Sequence, residues 1–149
     1  MKTFLVPVDF SSITGRVIDS AMEFARALKG KVVLLHVVQA PVIASAEYAL
    51  PADVIQEAVT VSKNASQKKL AAYIEHFTKE GIECIGKTLI GAPVPLIRDE
   101  SAKAGADFVI MGSHGHGKLY DFLVGSTASG VIKKAKCGVI VIPPVDQES

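Results

Sequence analysis

The sequence predicts a single α/β domain over residues 1–149, with a five-stranded, mostly parallel sheet and helices on both faces. Three observations carry that expectation. Strand-like and helix-like segments alternate along the whole chain, the pattern of repeated βα units. The strand-like runs are continuously apolar, as befits strands buried on both faces. The chain has 149 residues, 49% apolar and 21% charged, enough for one sizeable core and far from disordered composition. A strand order of 3-2-1-4-5 with right-handed crossovers covers both faces. It also sets the carboxyl ends of the first and fourth strands beside the point where the order reverses, where such sheets bind ligands.

Phe4–Val8 is the first apolar run. Ser11 or Ser12 can cap the helix that follows. Ile13, Val17, Ala21, Phe24 and Leu28 share one face of that helix, with Arg16, Asp19, Glu23 and Arg26 opposite. Gly30 stands where a C′ glycine ends a helix. Val32–Val38 is the second strand. Residues 40–52, with Pro41 and Pro51, read as a longer loop; a disordered connection is its plain reading, and Ala44, Ala46, Tyr48 and Leu50 leave a lid or a contact surface as the alternative. A long helix runs from about Ala52 to Glu80, with Leu70, Ile74 and Phe77 inward and Gly81 as its stop. Ile82 to Ile90 is β-rich and forms the third strand. Gly91 and Pro93 introduce a helix over about 93–104, with Val94, Ile97 and Ala104 inward and Gly105 ending it. Phe108–Met111 is the fourth strand. A glycine-rich loop leads to a helix from about Ser126 to Lys136, whose last turn holds Lys133, Lys134 and Lys136. Val139–Ile142 closes the set as the fifth strand.

The totals exclude several function classes. Sixteen Lys and Arg against fifteen Asp and Glu give a formal charge of +1, so nothing draws the chain to nucleic acid or to an anionic membrane. Cys84 and Cys137 are too few and too far apart for a disulfide framework or a metal knuckle. The apolar start, Phe4 to Val8, is too short for a secretion signal, and no run approaches a membrane span. The expectation is a soluble cytoplasmic protein.

Gly112, Gly115 and Gly125, the last followed by Ser126 and Thr127, fit the spacing G-x2-G-x9-G-[ST]. They lie between a strand and a helix, where glycine allows close backbone approach and positive φ. The helix start adds free N–H groups and the positive end of its dipole, which suits phosphate. Ser126 is expected as the N-cap, with Thr127 in the first turn. Two other phosphate motifs fail. The turn after the first strand, Asp9–Phe10–Ser11–Ser12, has no glycine for a dinucleotide fingerprint. Gly112 to Lys118 matches G-x-x-x-x-G-K, but Leu119 stands where a P-loop needs Ser or Thr for magnesium. An ordinary serine-capped connection remains the plain alternative.

Five segments together resemble the universal stress proteins, specifically their ATP-binding branch. These are Phe4–Asp9, Leu35–Val38, Val109–Gly115, Leu123–Ala128 and Cys137–Ile142, and the resemblance covers nearly the whole chain. It implies a Rossmann-like fold of the adenine nucleotide α-hydrolase type. It implies an adenosine site lined by Pro7, Val8 and Asp9, with Val38 and Met111 as apolar walls. Asp9 would hydrogen-bond ribose or adenine; capping the first helix is its other reading. Gly112, Ser113, His114, Gly115, Gly125, Ser126 and Thr127 would hold the phosphates of ATP, ADP or AMP. Mg or Mn would be bridged by those phosphates, since no carboxylate cage is visible. The resemblance also implies a homodimer through Val139 to Ile142; a client protein is a partner class left unidentified.

Two function classes follow. One is a binding protein with a regulatory or stress-response role; the other is a slow ATPase or a phosphoryl- or nucleotidyl-transfer enzyme. Transfer needs a positioned nucleophile and charge neutralisation. The loop supplies donors but no clear base, and Lys118 is its nearest cation, so binding is favoured. A phospho-receiver is excluded because strand 3 ends at Leu89–Ile90–Gly91 without an acid and Asp9 stands alone. His36 reads as a satisfied core histidine, His76 as surface, and His116 as a solvated loop residue. His114 is a candidate phosphate donor.

Overall fold

A computed structural model describes residues 1–39, 50–115 and 124–145. Its elements are β1 (Thr3–Pro7), α1 (Thr14–Ala27), β2 (Lys31–Val38), α2 (Ala52–Lys79), β3 (Cys84–Ile90), α3 (Pro93–Lys103), β4 (Phe108–Gly112), α4 (Ser126–Lys134) and β5 (Gly138–Ile142). The five strands form one parallel sheet in the order β3-β2-β1-β4-β5. This is the Rossmann-like order expected from the alternation. Of the expected 40–52 loop, residues 40–49 lie outside the described residues, as do His116, Lys118 and Leu119.

Strand side chains alternate between two cores. Phe4, Val6, Val32, Leu34 and Ile110 meet α1 and α2 through Ile18, Ala21, Leu70 and Phe77. Leu5, Val33, Leu35, Val109 and Met111 meet α3 and α4 through Ile97, Ala128 and Val131. Both β1 and β4 are buried on both faces, which is why their sequences are unbroken apolar runs.

At the amino ends of the central strands three aromatics gather. The Phe4 ring stacks on Phe108 at 5.9 Å and meets Phe24 at 6.4 Å. A Cβ on Gly30 would press on Phe4, and one on Gly138 would press on Phe108. Gly30 is therefore required for space and is not the positive-φ residue after α1. Lys29 takes that conformation, at φ 52°. Gly81 and Gly105 do supply the positive φ that ends α2 and α3.

Three details differ from the sequence pattern. Helix α1 turns Ile18, Met22 and Ala25 inward with Val17 and Ala21, leaving Phe24 half-buried and Leu28 exposed. Helix α4 stops at Lys134 because Ala135 is extended, so Lys136 lies beyond it. Glu100 on α3 faces inward and is buried, where Lys87 of β3 meets its Oε2 at 2.9 Å and Lys103 approaches its Oε1 at 3.6 Å. A buried carboxylate needs such partners.

Phe4→Ala removes the ring around which that end of the sheet is built. Urea denaturation should show a loss of about 3–5 kcal/mol; a loss below about 1 kcal/mol contradicts the packing described.

Candidate functional site

The site begins where two central strands part. Backbone groups along β1 alternate between its neighbours: Lys2 and Val8 bond toward β2, and Thr3 toward β4. Pro7 therefore faces β4, and proline has no N–H to offer. Pairing of β1 with β2 runs to Pro7↔Leu35, whereas the β1–β4 register ends at Leu5↔Val109. Past that point the strand ends diverge and a cavity of about 330 Å³ opens between them.

Pro7, Val8, Asp9, Met111, Gly112, Ser113, His114, Gly115, Gly125, Ser126 and Thr127 all line this one cavity. Val38 does not, which corrects its expected role as a wall. Side chains of a strand alternate, so Leu35 and Val37 face the cavity and Val38 lies on the other face of β2. Pro93 and Ile97 of α3, and Thr14 at the start of α1, also line it. Nothing local in the sequence marks these last three as site residues, because only the crossovers bring them to the strand ends. Among the described residues, Thr14 Oγ1 is buried without a hydrogen-bond partner.

The glycines are needed for room. None of Gly112, Gly115 and Gly125 has a positive φ, which corrects that part of the sequence reading. A Cβ on Gly115 would collide with Asp9 Oδ2. One on Gly112 would come within 3.0 Å of Ile13 Cγ2, and one on Gly125 within 3.0 Å of the Ser113 carbonyl oxygen. Gly125, not Ser126, is the N-cap of α4, with φ −70° and ψ 172°. Ser126 and Thr127 are the first two helical residues, so their N–H groups have no partner four residues back.

Ser113 joins these parts. Its N–H donates to the Ile142 carbonyl at 2.8 Å, and its carbonyl accepts from the Gly125 N–H at 2.6 Å. The start of α4 is thereby tied to the ends of β4 and β5. Ser113 Oγ lies 2.9 Å from His114 Nδ1. Asp9 Oδ1 accepts from the Ser11 N–H at 3.0 Å. Helix α1 has no side-chain cap; neither Ser11 nor Ser12 fills that role, since the N-cap position falls at Ile13.

With donors at a helix start, a carboxylate and an apolar wall around one opening, the cavity suits a ligand with anionic and polar ends and a flat apolar part. The universal stress protein family profile matches residues 1–143. The chain belongs to the universal stress protein family. It is 30% identical over 142 residues to universal stress protein A homolog 1 of Coxiella burnetii, covering 95% of each chain. A solved structure of hypothetical protein MJ0577 matches with a TM-score of 0.86 and 27% identity over 98% of both chains. The universal stress protein from Archaeoglobus fulgidus, solved in complex with dAMP, matches with a TM-score of 0.64 and 25% identity, covering 95% of this chain and 98% of that one.

Outside the cavity, among the described residues, no group of three or more His, Cys, Asp or Glu could hold a metal ion, and no helix is long and apolar enough to cross a membrane. Both cysteines are free thiols. Burial pushes Cys84 up to about 12 and also raises Cys137. At pH 8 Cys84 is therefore almost wholly protonated and unreactive. Iodoacetamide should alkylate it in the folded protein about a thousandfold more slowly than a free thiol. A rate within about tenfold of the free thiol contradicts this burial.

Proposed function

We propose that this universal stress protein belongs to the ATP-binding branch of its family and holds an adenine nucleotide in the cavity at the ends of β1, β2 and β4. The observation that carries the reading is convergence. The glycine positions, the start of α4 and Asp9 are far apart in sequence yet line one opening. The dAMP complex of the Archaeoglobus relative supports the ligand class. Ser126 and Thr127 offer N–H groups and hydroxyls to phosphate oxygens, and His114 and Ser113 flank them. Asp9 suits the ribose hydroxyls or the adenine amine, both of which donate to a carboxylate. Val37, in place of Val38, joins Met111 as an apolar wall for the base.

Mg or Mn would enter with the nucleotide. Its ligands would be mainly phosphate oxygens and water, as Mg usually is bound. Asp9 is the cavity's carboxylate among the described residues, and its Oδ1 already accepts from Ser11. The site is built for holding. Backbone donors and a helix start stabilise a bound anion in its ground state, whereas transfer requires a nucleophile and a base aligned with the leaving phosphate. The role that follows is regulatory or stress-responsive, through the occupied state.

A homodimer through Val139 to Ile142 completes the reading. Strand β5 is an edge strand, and its apolar residues are only half-buried except Ile142. Unpaired apolar edges are covered in stable proteins.

Three measurements test this reading. Mass spectrometry of what leaves the purified protein on denaturation should find an adenine nucleotide. With nucleotide removed, ATP at about a hundred times its Kd should stabilise the fold by about 2.7 kcal/mol, and Asp9→Ala and Gly125→Val should each abolish most of that gain. No nucleotide and no stabilisation together contradict the reading. Light scattering should give the mass of a dimer, and a clean monomer at micromolar concentration contradicts the interface.

A further inference from the structure

His36 lies outside the cavity lining yet contacts the strand end that forms it. It sits on β2, on the face turned away from Leu35 and Val37, and does not line the cavity. Its Nδ1 lies 2.8 Å from the Val8 carbonyl oxygen. A carbonyl only accepts, so Nδ1 carries the proton and donates. The same imidazole packs against the Phe10 ring, with centroids 4.5 Å apart. Lys69 Nζ of α2 also stands over the Phe10 ring, 5.0 Å from its centroid. One side chain therefore grips the residue before Asp9 and the residue after it.

Phe10 has φ 60°. A bulky residue in the left-handed region is uncommon and is retained only where its surroundings over-determine it. Here the surroundings are the His36 and Lys69 contacts on its ring, together with the core between the sheet and helices α1 and α2, against which Phe10 also packs. The sharp turn at Phe10 sends its ring toward α2 while Asp9 stays at the cavity, with Oδ1 on the Ser11 N–H. Without the imidazole, the Val8 carbonyl loses its side-chain donor and the ring its platform. The left-handed turn then has less to hold it.

We propose that His36 is a positioning residue of the cavity: by clamping Val8 and Phe10 it fixes the Asp9 carboxylate for the ligand. The inference rests on the nucleotide reading above, but the clamp itself has a readout that needs no ligand. His36→Phe keeps an aromatic face for Phe10 and removes the donor. His36→Asn places an amide donor near the position of Nδ1 and removes the ring.

In nucleotide-free protein, His36→Phe should speed amide hydrogen exchange at Ser11 at least about tenfold while Val33 and Ile110 in the core keep their protection. Calorimetric titration with ATP should then show about five- to twentyfold weaker binding for His36→Phe, with His36→Asn recovering part of the loss. In an Asp9→Ala background the same substitution should change affinity less than about twofold, because a residue acting through Asp9 has nothing left to position. Unchanged exchange at Ser11 overturns the clamp, whatever the wild type binds. Equal losses in both backgrounds, or none in the wild type, overturn its action through Asp9. Failure of the wild type to bind ATP overturns the nucleotide reading and the binding role of His36 with it, while the exchange result still decides the clamp. Core amides that exchange faster in His36→Phe mark a general loss of folding, and the comparison then passes to His36→Asn.

Discussion

Pro7 has no N–H to give to β4, and the two central strands of the sheet part where that hydrogen bond would have formed. A proline inside a central strand is disfavoured; at its last residue it ends the ladder on one side only. The strand stays paired to β2 as far as Pro7↔Leu35, so the cleft opens asymmetrically toward β4. Everything that lines the cavity is arranged around that opening. Asp9 follows within two residues, and the Gly112–Gly115 stretch leaves β4 across from it.

The walls of the cleft are set by close packing more than by unusual backbone. Gly115 must be small because Asp9 Oδ2 occupies the space of its Cβ. Gly125 must be small because it approaches the Ser113 carbonyl to which it donates. Ser113 in turn is held by Ile142, so the start of α4 is attached to the fifth strand. If β5 forms a subunit interface, site and interface share this attachment. The binding of a ligand and the pairing of subunits would then be coupled through one short run of backbone hydrogen bonds.

Much of this was legible in the sequence, for physical reasons. Unbroken apolar runs revealed doubly buried strands, and their alternation with amphipathic segments revealed the parallel sheet. The glycine spacing located the loop because a missing Cβ is a requirement that only one residue meets. What stayed hidden was orientation and long-range contact. Leu35, Val37 and Val38 are equally apolar, and only the pleat decides that Val38 turns away. Ser126 has the chemistry of a cap, but the close approach at Gly125 takes the cap position. Glu100 sits on a helix face beside residues expected inward, yet its burial depends on Lys87 from β3, thirteen residues away. His36 read as an ordinary core residue because its partners lie on a loop 26 to 28 residues earlier.

The central claim is that the parted ends of β1 and β4 form the ligand-binding surface. The most direct test is to follow backbone amide resonances of the isotope-labelled protein as ATP is added. The largest shifts should fall on Asp9, Gly112 to Gly115 and Gly125 to Ala128, with Cys84 and the middle of α2 unmoved. Shifts concentrated elsewhere, or a spectrum unchanged at millimolar ATP, would contradict the account.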